Sequence, residues 1–222
     1  MTPEESALWE AAYCRFETPE EEIRKFMSRL VHLGCAGWAR ESRIVELFCG
    51  RGNGLKALER LGFSSLEGVD LSARLATSYN GPAAIHVADC RQLSFQDHSK
   101  DLLIVQGGLH HLLVLPEDLE QTLVEARRVL KSDGRLVLVE PWKTPFLRFV
   151  HFAGRSMLLR KISNKLDALE VMTHYERTTY EFWLNHPELV LSVLRKHFDA
   201  EQLQFRWGKI YFIGRPRFSA LS

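Results

Sequence analysis

Apolar and polar positions along this chain change period repeatedly, and each change marks an element. Ile44, Val45, Leu47 and Phe48 form a short apolar run, the pattern of a strand buried on both faces of a parallel sheet. Gly50, Gly52 and Gly54 follow at every second position. Residues 55–61 then take helical spacing, with Gly62 placed to end the helix. Residues 66–69 read as a second strand finishing on Asp70, residues 71–79 as a second helix, and residues 84–87 as a third strand. A fourth strand at 101–106, a helix at 116–130 closed by a turn at 131–134, and a fifth strand at 135–140 complete the alternation. Ahead of it, residues 1–40 predict two helices. The second opens at Thr18-Pro19-Glu20-Glu21, with Thr18 as N-cap, Pro19 at the first helical position and Glu21 closing a capping box. A last helix at 187–198 and a hairpin around Gly208 end the chain.

Such alternation predicts a doubly wound, mostly parallel α/β sheet. At 222 residues the chain is expected to be one domain, long enough for seven strands with helices on both faces. Apolar residues at 45% and charged residues at 26% are those of an ordinary globular protein. The net charge of +1 gives no global basic field, so no nucleic-acid partner is expected. Cys14, Cys35, Cys49 and Cys90 lie far apart with no C-x-x-C pair, which argues against zinc and for reduced thiols. No apolar run reaches membrane-spanning length and the first residues are acidic, so a cytoplasmic location is expected.

The stretch from Ile44 to Ser72 carries the chemistry. Strand, glycine loop, helix, strand and acid make a βαβ unit suited to hold a nucleoside. A dinucleotide fingerprint would need a glycine at position 55, which is Leu. Glu46, at the end of the first strand, would repel a pyrophosphate but suits a ligand with ammonium and sulfonium groups. Asp70 is spaced to accept from both ribose hydroxyls. S-adenosylmethionine meets these demands better than NAD does.

Here the chain resembles the class I S-adenosylmethionine-dependent methyltransferases, in particular the small-molecule branch of the type 11 pattern. Their first motif, [DE]-x-G-x-G-x-G, falls on Glu46 to Gly52, with Phe48 in place of its first glycine. ADCRQLSF after the third strand, QGGLHHL after the fourth and RVLKSDGRLVLVEP into the fifth extend the resemblance. It implies a Rossmann-like sheet with one antiparallel strand inserted beside the fifth. It also implies that Glu46, Gly50 and Gly52 hold the methionine end, Asp70 the ribose with Leu71 beside it, Asp89 and Cys90 the adenine, and that Gln106 lies near the methionyl group. His110 and His111 become the candidate catalytic residues, and no metal is expected. The absence of an acid or Asn followed by Pro-Pro disfavours methylation of nucleobase amino groups.

Within the single domain, residues 1–40 are leading helices, 41–141 the cofactor core, 142–184 a helical cap and 185–222 the closing elements. On the cap, Arg148, His151 and Arg155 make a basic stripe opposite Phe146, Phe149, Val150, Ala153 and Met157. That stripe, with Tyr175, suggests a small anionic acceptor, or peripheral contact with an anionic membrane surface. Two alternatives differ in class: a non-catalytic protein that binds S-adenosylmethionine or S-adenosylhomocysteine as partner or sensor, and a nucleotide-dependent oxidoreductase, which the glycine spacing and Glu46 oppose.

Overall fold

A computed structural model describes residues 3–154 and 156–218. Seven strands form one sheet: β1 (Ile44–Leu47), β2 (Leu66–Asp70), β3 (Ala84–Val87), β4 (Lys100–Gln106), β5 (Leu130–Pro141), β6 (Phe198–Arg206) and β7 (Lys209–Pro216). Their order is β3-β2-β1-β4-β5-β7-β6. The first five are parallel, and β7 runs antiparallel between β5 and β6, the arrangement the resemblance implied. Trp207 and Gly208 both take left-handed backbone, the geometry of a two-residue hairpin turn.

Alternation along β1, β4 and β5 divides the core in two. Val45, Leu47, Leu103, Val105, Leu136 and Leu138 pack on one face, where α5 (Glu117–Val129), α9 (Arg177–Asn185) and α10 (Pro187–His197) supply Leu123, Trp183 and Leu194. Ile44, Ile104, Val137, Val139 and Tyr211 line the other, covered by Leu30 of α2 (Pro19–His32) and Leu55 and Leu58 of α3 (Asn53–Arg60). Both helix faces bury apolar residues at 3–4-residue spacing, which is where their stability lies.

α1 (Pro3–Phe16) and α2 occupy the predicted positions, and the capping box is complete: Thr18 Oγ1 accepts from the Glu21 amide and Glu21 Oε2 from the Thr18 amide. Two expectations are corrected. The helix expected over 71–79 is only α4 (Ala73–Ala76), because the Tyr79 hydroxyl bonds Glu59 on α3 and accepts from the Ala83 amide. The chain after α4 is drawn onto α3 instead of coiling on. The turn expected at 131–134 is part of β5: pairing jumps from Lys100–Leu130 to Leu102–Arg135, so these four residues bulge out of the ladder.

The cap comprises α6 (Pro145–Gly154), α7 (Met157–Ile162) and α8 (Asn164–Tyr175), followed by α9. α1 packs along α8, which brings the start of the chain against the cap. The expected apolar face of α6 does not turn inward as a unit: Phe146 is 45% and Phe149 67% exposed, while Gly154 is buried. Among the described residues no helix is long and apolar enough to cross a membrane.

Candidate active site

The carboxyl edge of the sheet gathers the candidate residues. At the end of β1 the chain turns through three left-handed residues, Phe48, Gly50 and Gly52. Phe48 takes a conformation that normally falls to glycine, at a cost of roughly 1–2 kcal/mol. Its ring lies on Gly108, where a Cβ would stand 2.2 Å from Phe48 Cγ. The loop therefore keeps a glycine path without the glycine. Asp70, at the end of β2, accepts from the Gly50 amide (2.7 Å) and the Ser72 amide (2.8 Å), which aims its carboxylate across the loop.

Glu46 is buried under the first turn of α3, where the nearby Leu55 amide favours its charged form. Only a glycine at position 54 permits this, since a Cβ there would lie 1.8 Å from Glu46 Oε1. Burial, and then the charges of Glu22 and Asp70, push the Glu46 carboxyl up to about 8. The Gln106 amide, at the end of β4, is near enough to oppose that rise, yet it meets no hydrogen-bond geometry. Glu46 Oε2 and both polar atoms of Gln106 are buried without a partner. Orphaned buried polar atoms are uncommon, and these converge where a ligand's ammonium and carboxylate groups would satisfy them.

Glu22 organises the loop from α2, and sequence reasoning missed it. Its Oε1 accepts from the Tyr13 hydroxyl (2.7 Å), and its Oε2 from Arg51 Nε and a terminal guanidinium nitrogen (3.1 and 2.8 Å) and from Asn53 Nδ2 (2.6 Å). The Arg51 guanidinium also lies 4.7 Å from the Tyr13 ring centre. Glu22 stands third in an acidic run whose helix-capping function accounts for all three residues, so no signal separated it. Tyr13 itself lies over Gly50.

The loop after β4 brings the histidine pair to the same edge. Glu140, fully buried at the end of β5, accepts from the Gly108 amide (2.6 Å), the Leu109 amide (2.9 Å) and His110 Nδ1 (2.7 Å). A carboxylate holding two amide protons acts as acceptor, so His110 Nδ1 is the donor and Nε2 carries the lone pair. Glu140 therefore pairs within the protein and does not face a substrate. Burial, and then the neighbouring His111, lower His110 below its usual range. His111 is shifted the other way: burial opposes its charge, but Glu176, 3.1 Å from Nδ1, raises it. Glu176 also accepts from Trp9 Nε1 (3.0 Å), linking α1 to the pair. His110, His111 and Glu176 each offer a ligand atom within 4.8 Å of the others, a set that could grip a cation; Glu140 holds His110 and Glu176 holds His111 through Nδ1.

Other expected residues lie farther from this centre. Both Asp89 oxygens are clamped by Arg91, whose guanidinium also reaches Asp118. The Cys90 thiol turns into the core toward Thr122 (3.6 Å), and Leu71 is exposed. The basic stripe of the cap does not converge. Arg148 is exposed, His151 turns inward to the Tyr180 hydroxyl (3.2 Å), and Arg155 lies outside the described residues. Tyr175 packs against His174. Tyr180, a candidate pocket residue of the cap by its place in the sequence, stands edge-on to His110.

Comparison with known proteins places this geometry. Residues 45–138 match the family described as "Methyltransferase domain". The ubiquinone/menaquinone biosynthesis C-methyltransferase UbiE of Geotalea daltonii is 33% identical over 126 residues, 52% of this chain and 51% of that protein. The chain thus spans about half the length of the curated relatives it matches. Among solved structures, the PH0226 protein of Pyrococcus horikoshii superposes with a TM-score of 0.64 at 20% identity, covering 87% of this chain and 91% of that one. Geranyl diphosphate C-methyltransferase of Streptomyces coelicolor, in complex with Mg2+, geranyl diphosphate and S-adenosyl-L-homocysteine, gives 0.58 at 15% identity, covering 87% and 80%. The glycine loop, the β7 insertion and the methyltransferase profile agree, and together they support a class I S-adenosylmethionine-dependent methyltransferase, the family match covering residues 45–138.

Proposed function

We propose that this protein transfers a methyl group from S-adenosylmethionine to a small-molecule acceptor, with His110 as general base. The observation that carries the reading is the set of orphaned polar atoms on Glu46 and Gln106, beside a histidine held in one tautomer by Glu140. The chain's residues fit the cofactor. Glu46 would meet its ammonium group, the Gly50–Gly52 backbone its methionine end and Asp70 its ribose. The adenine falls to the segment around Asp89 and the Cys90 amide. When bound, its sulfonium supplies the methyl group.

The protein contributes alignment, worth up to about 7–11 kcal/mol where the bound geometry is close to that of attack. His110 Nε2 takes the proton from an acceptor that arrives protonated, while Glu140 stabilises the imidazolium through Nδ1. The relatives support a small acceptor by their range: a quinone-pathway C-methyltransferase, a geranyl diphosphate C-methyltransferase and a didemethyltoxoflavin N1-methyltransferase.

Calorimetric titration with S-adenosylmethionine, S-adenosylhomocysteine and NAD, on the wild type and Asp70→Ala, tests the cofactor. Micromolar binding of both adenosyl ligands, lost in the variant, is expected; binding of NAD alone, or of nothing, would refute the reading. Labelled-methyl transfer by wild type and His110→Ala then tests the chemistry. Retained cofactor binding with no turnover on any acceptor would favour a sensor or partner protein.

A further inference from the structure

α2 runs across the carboxyl edge of the sheet. Its first turns reach the glycine loop through Glu22, and its last residue, His32, bonds Gln204 of β6 (2.9 Å) and stacks edge-on with Tyr211 of β7. Lys25 and Arg29, one helical turn apart between these ends, therefore lie over the end of β5 and the start of β7. Lys209 is the first residue of β7, opposite Pro141 at the end of β5. Strand alternation puts it on the same sheet face as Tyr211 and Ile213, the face α2 covers. Three basic side chains thus approach one place from two elements.

Their surroundings do not neutralise them. Lys25 pairs with Glu17. Among the described residues, the Arg29 and Lys209 side chains make no hydrogen bond or ion pair; the contact shown for Arg29 is the Phe26 ring, 5.3 Å from its guanidinium carbon. Each of the three keeps part of its surface open. Burial is nonetheless the largest influence on all three and lowers each, Lys209 to about 7 with Arg29 and Lys25 adding to the effect. The groups that favour their charge electrostatically are the Tyr211 hydroxyl, which faces Arg29, and Glu17, Glu22 and Glu140. Glu22 is committed to Tyr13, Arg51 and Asn53, and Glu140 to the His110 loop. With Lys25 paired to Glu17, Arg29 is the standing unpaired charge and Lys209 gains its proton fully once an anion lies beside it; a planar guanidinium with its donors free suits a tetrahedral oxyanion.

We propose that Lys25, Arg29 and Lys209 form the docking site for a phosphate or diphosphate group of the acceptor. The inference rests on the methyltransferase reading and deepens it. Three strand spacings, about 14 Å, separate β1 from β7. The site therefore lies beyond the cofactor loop and one strand past β5, which carries Glu140. An acceptor would be gripped at its anionic end here and present its nucleophile to His110. The exposed Arg148 of the cap has no part in this grip.

Calorimetry with inorganic pyrophosphate, succinate and S-adenosylhomocysteine, on the wild type, Arg29→Gln, Lys209→Gln and Arg148→Gln, tests it. Pyrophosphate binding in the wild type, weakened at least tenfold in R29Q and K209Q but not in R148Q, is expected, with S-adenosylhomocysteine affinity unchanged throughout. That unchanged affinity also shows that the variants fold. No pyrophosphate binding by a protein that binds S-adenosylhomocysteine would overturn this inference and leave the methyltransferase reading standing; loss of both in the wild type would remove the reading itself. Succinate binding as tightly as pyrophosphate would overturn the phosphate assignment. Loss of S-adenosylhomocysteine binding in R29Q and K209Q would assign these cations to the cofactor's carboxylate instead.

Discussion

Replacing Glu46 by glutamine should stabilise the ligand-free protein while weakening its hold on a cationic ligand. The carboxyl is completely buried, and its folded-state pKa stands near 8 against an ordinary value of 4.5. An acid with a raised folded pKa binds more protons folded than unfolded, so it subtracts stability as pH climbs from the lower value to the higher. At about 1.36 kcal/mol per unit, the penalty is about 3 kcal/mol at pH 7 and under about 1 kcal/mol at pH 5. Glutamine keeps an oxygen in the same place and carries no charge. E46Q should therefore melt roughly 6–12 °C above the wild type at pH 7, using about 2–4 °C per kcal/mol for a chain of this size, and the gap should shrink at pH 5. Calorimetric titration in buffers of differing ionisation enthalpy supplies the second half. Wild type should release a proton from Glu46 on binding S-adenosylmethionine at pH 7, a release absent in E46Q. A variant no more stable than wild type at pH 7, or a gap independent of pH, would refute the placement of Glu46.

Gly54→Ala drives a methyl group into the Glu46 carboxylate; it should cost about 1–3 kcal/mol in urea unfolding and weaken S-adenosylhomocysteine binding at least tenfold. Glu22→Ala leaves Arg51 without its buried carboxylate and should cost about 3–5 kcal/mol, measured as a lower denaturation midpoint at constant slope. In proton NMR the two site histidines should titrate on opposite sides of 6.5, His110 below and His111 above, and Glu176→Gln should bring His111 down. Given an acceptor, His110→Ala should lower kcat about 10²–10⁴-fold, and wild-type kcat/KM should rise with pH through a limb below 6.5.

The order of elements was legible because the signals are local. Period changes at β1, β2, β4 and β5, the Thr18–Glu21 box and the glycines of the first loop each act within a few residues. Where a distant contact decided, the sequence misled: Tyr79 is drawn to Glu59 across twenty positions, and the bulge in β5 answers to β4. The site divides the same way. Glu46, Asp70 and the histidine pair follow from a motif, whereas Glu22, Arg29 and Lys209 matter only because α1, α2 and β7 converge. A cation one turn along a helix reads as a solvated face until the opposite wall is known.

The contact between Phe48 and Gly108 makes a single mechanical part of two loops. One follows β1 and carries the cofactor turn; the other follows β4 and carries His110. Because the ring fills the space of an absent side chain, neither loop can shift without moving the other. A ligand that settles the first loop thereby settles the second, and by reciprocity an acceptor that fixes the histidine loop tightens the grip on the cofactor by the same factor. Trimming Phe48 to alanine would free the two to move separately, so that binding of one ligand no longer reports on the other.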